Sequence, residues 1–322
     1  MIVAYSIVQN KIESMEVEVG NGTAIDSAIW IDLISPTRQE EKFIEERIKI
    51  DIPTKKEMKG IEQSSRLYKD RGSIFMTAMM VAHSKSAEPK ADPVTFILSE
   101  RKLITIRYIE PHSFNMFIHL LKKADASDYS PEKFLIDLYE ATTDRLADIL
   151  ETLSHKFDEI SKKIFHNKSN EPINYHKLLQ KIGSNGDLGA KVRESLASFN
   201  RLLVFFEQSA GSGFDMDTKV RLAIMMKDLS SLSDYASFIS NKVNFLLDAT
   251  LGMVSIEQNN IIKIFSVAAV IFLPPTLIAS IYGMNFHHMP ELYWYIGYPM
   301  AIVLMLISSF LPYRYFKSKK WL

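Results

Sequence analysis

The sequence contains no cysteine and few glycines. Of its 322 residues none is cysteine and 12 are glycine. Without cysteine the chain can form no disulfide, no thiolate metal site and no cysteine nucleophile. The glycines form neither a dinucleotide-binding fingerprint nor a phosphate-binding loop, and no HExxH sequence is present. We therefore expect no enzyme activity, no catalytic residues and no cofactor.

Charge is balanced over the whole chain but unevenly distributed along it. Lys and Arg number 38, as do Asp and Glu, so nothing in the net charge indicates a nucleic-acid partner. Almost all of these charges lie before residue 264, and the last 60 residues are strongly apolar. The mean hydropathy near zero is therefore an average over a polar part and an apolar part.

Two long uncharged runs lie near the C-terminal end of the sequence. Residues 264–286 and 292–313 contain no Lys, Arg, Asp or Glu. An α-helix needs about 20 apolar residues to cross a membrane, and both runs are long enough. Two helices buried in a soluble core are the alternative, but adjacent runs of this length are rare there. We predict transmembrane helices at 264–286 and 292–313, joined by an external loop at 287–291.

The positions of Lys and Arg predict the orientation of these helices. The loop 287–291 has neither residue, whereas Lys263 precedes the first helix. Because cytoplasmic segments carry the excess of Lys and Arg, both termini are expected in the cytoplasm, with the protein in the inner (plasma) membrane. The predicted cytoplasmic tail, residues 314–322, is basic and contains Arg314, Lys317, Lys319 and Lys320.

The first predicted transmembrane helix has features that a simple anchor does not need. Pro274 and Pro275 remove backbone N–H donors, so this region is expected to face neighbouring helices or water, although a kink without further role is the alternative. Asn285 ends the helix, two residues after Gly283. Their side-chain and backbone carbonyl oxygens suit a hydrated Mg²⁺, but an Asn that only caps the helix fits equally well.

Two further groups of side chains are candidates for binding metal ions. Several acidic residues lie in the helical segment before the first span, and most are expected on a solvated face. If several copies surround an axis, a ring of Asp248 carboxylates would concentrate a divalent cation at the inner mouth of a pore. His287 and His288 are adjacent in the external loop, where they could hold a metal ion or simply lie at the surface.

Residues 1–130 alternate short β-rich segments with turns and helical patterns. This alternation predicts a cytoplasmic α/β domain. The helical patterns are Gln39–Ile48 and Glu57–Ser64. The predicted strands are Ile2–Val8, Met15–Val19, Ala28–Leu33, Ser73–Ala82, Pro93–Leu98 and Leu103–Arg107.

Residues 131–263 are predicted to form long, coiled-coil-like helices, because apolar residues recur three and four positions apart. A break at Asn167–Asn174 precedes helical patterns at Tyr175–Lys181 and Leu188–Gln208. A last helix is expected to start near Asp215 and to continue into the first span, about 65 residues and on the order of 100 Å long. The predicted class is an α+β membrane protein.

Several motifs resemble the CorA family of magnesium transporters. The stretch Ile261–Glu291 contains Pro274-Pro275-Thr276 and Tyr282-Gly283-Met284-Asn285-Phe286, followed by Met289-Pro290-Glu291-Leu292. A Gly-Met-Asn triplet alone has little specificity. At the outer end of the first of two terminal spans, with Met-Pro-Glu-Leu after it, the triplet is strongly specific. The resemblance covers the architecture of the whole chain and is closest to the proteobacterial branch.

This resemblance implies a funnel-shaped homopentamer that conducts Mg²⁺, with Co²⁺ and Ni²⁺ as further candidate ions. The first span would line the pore, and the second would pack outside it. Within the motif, which includes Tyr282 and Met284, Gly283 and Asn285 would form an outer filter for a hydrated cation. The implied rings along the pore are polar at Asn259 and Thr276, acidic at Asp248, and apolar at Ile262, Phe265 and Leu273.

The resemblance also implies closure when cytoplasmic Mg²⁺ binds at acidic subunit interfaces, for which the sequence offers no specific residues. One departure concerns the external loop. Relatives often carry at least one Glu where this chain has His287 and His288, which leaves Glu291 as the only acid of the loop. We expect weaker attraction of Mg²⁺ at the mouth, with some pH dependence because histidine side chains titrate near neutral pH.

The function predicted from the sequence is passive Mg²⁺ influx driven by the membrane potential. Two spans cannot enclose a pore, so the expected partners are further copies of the chain, membrane lipid and divalent metal ions. A zinc-transporting relative is one alternative: the histidine pair favours it, and Met284 argues against it. A membrane-anchored coiled-coil scaffold without a pore is the other, and it gives the two prolines and Asn285 no role.

Overall fold

A computed structural model gives the fold of the chain. It describes residues 1–322 except 61–65, 87, 100, 124–128, 167–172, 211–213, 286, 320 and 322. The chain divides into two compact units, Met1–Leu247 and Asp248–Leu322.

The secondary structure changes from strands and short helices to long helices along the chain. The strands are β1 Ile2–Val8, β2 Lys11–Val17, β3 Trp30–Ile34, β4 Leu67–Asp70, β5 Ser73–Ala82, β6 Lys90–Leu98 and β7 Leu103–Arg107. The helices are α1 Thr23–Ser27, α2 Arg38–Ile48, α3 Lys55–Met58, α4 His112–Leu121, α5 Pro131–Phe165, α6 Tyr175–Ala210, α7 Met216–Tyr282 and α8 Gly297–Ser318.

The seven strands of the described residues form one mixed sheet in the order β2-β1-β3-β7-β6-β5-β4. β3 and β7 are parallel, and the other neighbouring strands are antiparallel. Two hairpins turn through residue pairs with positive φ, Gln9–Asn10 and Arg71–Gly72. Such turns match the right-handed twist of the strands they join.

Helices cover both faces of this sheet. On one face Ile25 of α1, Ile44 of α2 and Met58 of α3 are buried against the strands. On the other face aromatic side chains of α4, α5 and α6 surround Trp30 and Phe96. Since burial of apolar surface is the main favourable term in folding, these three layers account for an α/β domain, as the sequence predicted.

A buried ion pair joins the two parallel strands. Asp32 of β3 is fully buried, and its carboxylate accepts hydrogen bonds from Arg107 of β7, the shortest at 2.9 Å. Thr105 donates to the same carboxylate at 2.6 Å and accepts from the indole N–H of Trp30 at 3.0 Å. The Arg107 guanidinium also lies over the ring of Phe114. Every member of this network therefore has a partner, as charged groups inside a protein require.

The free edge of β5 is covered by α6. Beyond the end of β4, the Met79 carbonyl accepts a 2.7 Å hydrogen bond from Ser195, and the Met79 N–H donates to Ser198 at 3.0 Å. Both serines are buried. Met79 pairs across the sheet with Pro93, which precedes the residues of β6 that pair with β7. Pro93, which has no backbone N–H, thus lies at a position of β6 that does not pair with β7, so no hydrogen bond to β7 is lost.

Helix α6 differs from its predicted form. The sequence predicted separate helical patterns at Tyr175–Lys181 and Leu188–Gln208, whereas α6 runs unbroken from Tyr175 to Ala210. Gly183 and Gly186 lie in the predicted gap, and Gly189 lies just inside the second predicted pattern. A β-carbon on Gly186 would lie 3.2 Å from the Val243 side chain, and one on Gly189 would lie 3.8 Å from that of Leu153. Neighbouring side chains therefore pack against α6 at these two glycines, most closely at Gly186.

Other boundaries also differ from the sequence pattern. β4 was not predicted, because its four residues are largely polar. Where the sequence predicted a helix at Glu57–Ser64, the structure has the short helix α3, Lys55–Met58. The end of the predicted helix falls in residues 61–65, which lie outside the described residues. The predicted break Asn167–Asn174 lies largely outside them as well. The described helix α8 occupies Gly297–Ser318, not 292–313, because Pro290–Tyr293 form a 3₁₀ turn.

Candidate functional site

The unit Asp248–Leu322 contains two helical segments that are apolar enough to cross a membrane, the C-terminal part of α7 and α8. Only 6% of each apolar segment is buried within the chain. A core helix of a soluble protein would be mostly buried, so the alternative of two core helices does not fit. The apolar surface of both segments is available to lipid or to other chains.

Helix α7 ends at the predicted filter motif. The last helical residue is Tyr282, and the Gly283 N–H donates to the Ala279 carbonyl at 2.9 Å. A β-carbon at Gly283 would lie 3.1 Å from that carbonyl oxygen, so any larger residue would crowd the helix end. Asn285 follows with an exposed side chain, and Phe286 lies outside the described residues. The amide of Asn285 is therefore free to face an ion or water.

The predicted pore-lining residues of α7 are exposed in the single chain. Ile262, Phe265 and Leu273 are 61%, 71% and 63% exposed, although all three are large and apolar. Thr276 is exposed and donates its hydroxyl hydrogen to the Phe272 carbonyl at 2.7 Å, which leaves the hydroxyl oxygen able to accept. Asn259 and Asp248 are exposed as well.

These residues share one face of α7. Each residue of an α-helix is rotated by about 100° around the helix axis from the residue before it. When these angles are measured from Asn259, the six predicted pore residues of α7 fall between about 240° and 360°. Between residues 263 and 282, the buried or partly covered residues fall between about 40° and 180° on the same scale. The predicted pore face is thus the uncovered face, and the covered face lies on the opposite side of the helix.

The covered face is identified by one buried residue and one contact. Val267 is 2% exposed, and the Lys263 ammonium lies 5.5 Å from the centre of the Trp321 ring. Pro274 and Pro275 are also partly covered and project from this side of α7. Their missing N–H groups leave two carbonyls one turn earlier without a helical donor. The sequence gave no signal for the Lys263–Trp321 contact, because the two residues are 58 positions apart.

The segment predicted to be the external loop packs against the start of α8. Trp294 N–H donates to the Glu291 carbonyl, and Gly297 N–H donates to the Trp294 carbonyl at 3.0 Å. A β-carbon on Gly297 would collide with the Glu291 carbonyl, so the loop depends on glycine here. The periodic pattern of the sequence missed this role of Gly297. His287 and His288 are exposed, and no group of three or more His, Asp or Glu side chains converges in the described part of the chain.

In the unit Met1–Leu247, ion pairs connect α7 to α5. Arg221 of α7 donates to Glu140 at 2.7 Å and to Asp137, and Lys242 lies 2.7 Å from Asp158. The hydrogen bond from Lys242 lowers the pKa of the Asp158 carboxyl. The pKa of Asp144 is raised, first by burial and then by the neighbouring carboxylates of Glu140, Asp148 and Asp228. The cytoplasmic part predicted for α7 therefore contacts α5 through both attractive and repulsive charge pairs.

Comparison with known proteins identifies the family. A model of the CorA-like Mg²⁺ transporter protein family matches residues 26–319. The chain belongs to the CorA family. The magnesium transport proteins CorA of Salmonella typhimurium (strain LT2) and Escherichia coli (strain K12) are each 32% identical to it over 325 residues, with both chains fully covered.

The fold is also that of a solved CorA. The complete structure of the CorA magnesium transporter from Methanocaldococcus jannaschii has a TM-score of 0.76, covers 100% of this chain and 99% of its own, and is 17% identical. At that identity the likeness concerns the fold alone. The CorA family is a transporter family and not an enzyme family, and it does not favour the zinc or scaffold alternatives.

Proposed function

We propose that several copies of this chain, five by the family resemblance, form a channel through which Mg²⁺ crosses the membrane. The observation that carries this proposal is the uncovered face of α7. Along this face polar Asn259 and Thr276 flank the large apolar Ile262, Phe265 and Leu273, and Asn285 follows at its end. A helix that only anchored the chain would need no polar residues on its uncovered face.

Exposed apolar side chains on the preceding part of α7 support assembly with further copies. Val220, Ile224, Phe238 and Phe245 are 47%, 55%, 55% and 58% exposed. Large apolar side chains exposed along one helix are typical of a surface that contacts another protein. A second copy of the chain is the occupant that a pore requires, because the two spans of one chain cannot enclose a water-filled path.

In the proposed pore, Mg²⁺ meets the ring of Gly283 and Asn285 first. Mg²⁺ gives up its waters reluctantly, so neutral carbonyl oxygens would hold the ion with its hydration shell in place. Thr276 and Asn259 offer further oxygen atoms, and the Asp248 carboxylates would attract the cation at the inner mouth. Ile262, Phe265 and Leu273 would form an apolar constriction that stops flow when it dewets.

The membrane potential is sufficient to drive the ion. A divalent cation that crosses 100 mV gains about 4.6 kcal/mol, twice the value for one elementary charge. The proposed orientation places Lys263, Arg314, Lys317 and Lys319 on the cytoplasmic side of the inner membrane and residues 287–291 outside. Closure by cytoplasmic Mg²⁺, and transport of Co²⁺ and Ni²⁺, belong to the same proposal on the family resemblance.

The test is Mg²⁺ uptake into liposomes that contain the full-length protein and an internal Mg²⁺ indicator. Asn285→Ala should reduce uptake or abolish the preference for Mg²⁺ over Zn²⁺, because it removes the amide from the proposed filter. Asn174→Ala is a matched control, since it removes an amide from the start of α6. Uptake by Asn285→Ala that stays unimpaired and Mg²⁺-selective would refute the filter. Absence of flux by the wild type would favour the scaffold, and a preference for Zn²⁺ would favour the zinc transporter.

A further inference from the structure

A cavity of about 430 Å³ lies in the unit Met1–Leu247, far along the chain from the predicted pore. The end of α2, the β4–β5 turn and the β6–β7 turn meet there. Among the described residues that line it, five are cations and two are carboxylates, a net charge of 5 − 2 = +3 for that part of the lining. The cations are Arg47, Lys49, Arg71, Arg101 and Lys102, and the acids are Asp26 and Asp70.

Two of these cations form part of the cavity wall. The Arg47 guanidinium donates to the Asp26 carboxylate, with Nε at 2.8 Å from Oδ1. The Lys102 ammonium lies 2.7, 2.9 and 2.7 Å from the carbonyl oxygens of Ile25, Asp26 and Ala28. Because an ammonium has three N–H donors, Lys102 has none left for a ligand. Its charge nevertheless contributes to the positive potential of the cavity.

The other three cations are available to a ligand. Lys49, Arg71 and Arg101 are exposed. Among the described residues, these three cations form one ion pair, between Arg71 and Asp70. Its N–O distance is 4.0 Å, which is the upper limit for a salt bridge. An exposed pair at that distance contributes little. The cavity therefore presents positive charge that the described part of the chain does not neutralise.

Two of these cations, Lys49 and Arg71, adopt a backbone conformation that favours glycine or asparagine. Lys49 caps the C-terminus of α2 with φ 61° and ψ 34°, a position where Gly or Asn is usual. Arg71 is the first residue of the two-residue turn Arg71–Gly72, with φ 46°, where Asn, Asp or Gly is usual. A residue with a β-carbon is strained in this conformation. Gln9, Ser35 and His83 also have positive φ, so this conformation fixes where the two cations stand but does not by itself indicate a ligand.

The floor of the cavity is apolar. Ile48 and Ile50 are half-buried there, and Ile25 and Phe75 are buried beneath them. A volume of about 430 Å³ lies within the usual range for small-molecule sites. We propose that this cavity binds a nucleoside polyphosphate, with its phosphates at Lys49, Arg71 and Arg101 and its base on the apolar floor. No glycine-rich loop is involved, which is why the sequence motifs did not indicate it.

The experiment is calorimetric titration of the full-length, detergent-solubilised protein with ATP in buffer that contains EDTA, so that chelation of Mg²⁺ by ATP has no effect. The test variant is Lys49→Gly/Arg71→Asn. It removes two cations and places at each position a residue that tolerates positive φ, so it should unfold at the same or a higher temperature. We expect saturable binding by the wild type and at least tenfold weaker binding by this variant.

The control variant is Lys85→Gln/Lys181→Gln, which removes the same charge from a different cavity, where both lysines lie. It should bind ATP as the wild type does. Inorganic triphosphate should bind more weakly than ATP, and adenosine more weakly still. No saturable binding by the wild type, equal affinity in the test variant, or equal weakening in the control would overturn the proposal. So would triphosphate or adenosine that binds as tightly as ATP.

Discussion

Which face of α7 lines the proposed pore can be tested with variants that each carry a single cysteine. Because the chain has no cysteine, each variant carries one thiol without any background substitution. The centres of the uncovered and covered arcs, about 300° and about 110°, are about half a turn apart, which is about two residues along the helix. From Ile262 to Ile278 the helix rises about 24 Å. The scan therefore samples the proposed apolar constriction and the position of Thr276.

The assay is Mg²⁺ uptake into liposomes before and after treatment with a membrane-impermeant, positively charged thiol reagent, without internal Mg²⁺. A cation fixed inside a narrow pore repels Mg²⁺, so we expect block with a period of about 3.6 residues. Residues of the covered face should give functional variants that the reagent does not affect. The scan compares Ile262, Ser266 and Leu273 on the uncovered face with Val267, Ile271 and Ile278 on the covered face. Block at the covered-face positions in place of the uncovered-face positions would refute the assignment of the pore face. Block that does not follow the helical period would refute it as well.

Two predictions concern the unit Met1–Leu247. Arg107→Met should lower the free energy of unfolding by about 3–5 kcal/mol, because it leaves the Asp32 carboxylate buried without its cation. Urea denaturation measures this change, and a loss below about 1 kcal/mol would contradict the prediction. At Glu57, the hydrogen bond from the Thr54 backbone N–H, followed by that from the Thr54 hydroxyl, lowers the carboxyl pKa. The group therefore stabilises the fold above its unfolded pKa, and this stabilisation is lost as the pH falls through the lower, folded pKa. The difference in denaturation midpoint between the wild type and Glu57→Gln should shrink from pH 7 to about pH 3; a constant difference would show that ionisation of Glu57 has no part in it.

The sequence predicted what depends on local pattern. Short β-rich segments located β1 and β5, and the uncharged runs located both candidate spans. β4 was not predicted because it has only four residues, two of them charged and exposed, and it forms a strand through pairing with β5. α6 was predicted in two pieces because a glycine-containing stretch weakens a helical pattern. The Val243 and Leu153 side chains, which pack next to Gly186 and Gly189, belong to distant parts of the chain.

For the candidate site, sequence and structure contribute different information. The motif identified Gly283 and Asn285, and helical spacing alone places Asn259, Leu273 and Thr276 on one face. Which face of α7 the rest of the chain covers depends on contacts that no local pattern contains, such as the one between Lys263 and Trp321. The roles of the pore residues themselves stay predictions until flux is measured.

The two hydrogen bonds from α6 to Met79 limit how the first unit can rearrange. Ser195 and Ser198 lie one turn apart and bind the carbonyl and the N–H of the same residue. A slide of α6 by a single residue, about 1.5 Å, would break both bonds and leave four polar groups buried without partners. Helix α6 and the sheet should therefore move as one rigid body. A ligand that binds at the sheet would then move α6 together with the sheet, and axial displacement would have to occur in other helices.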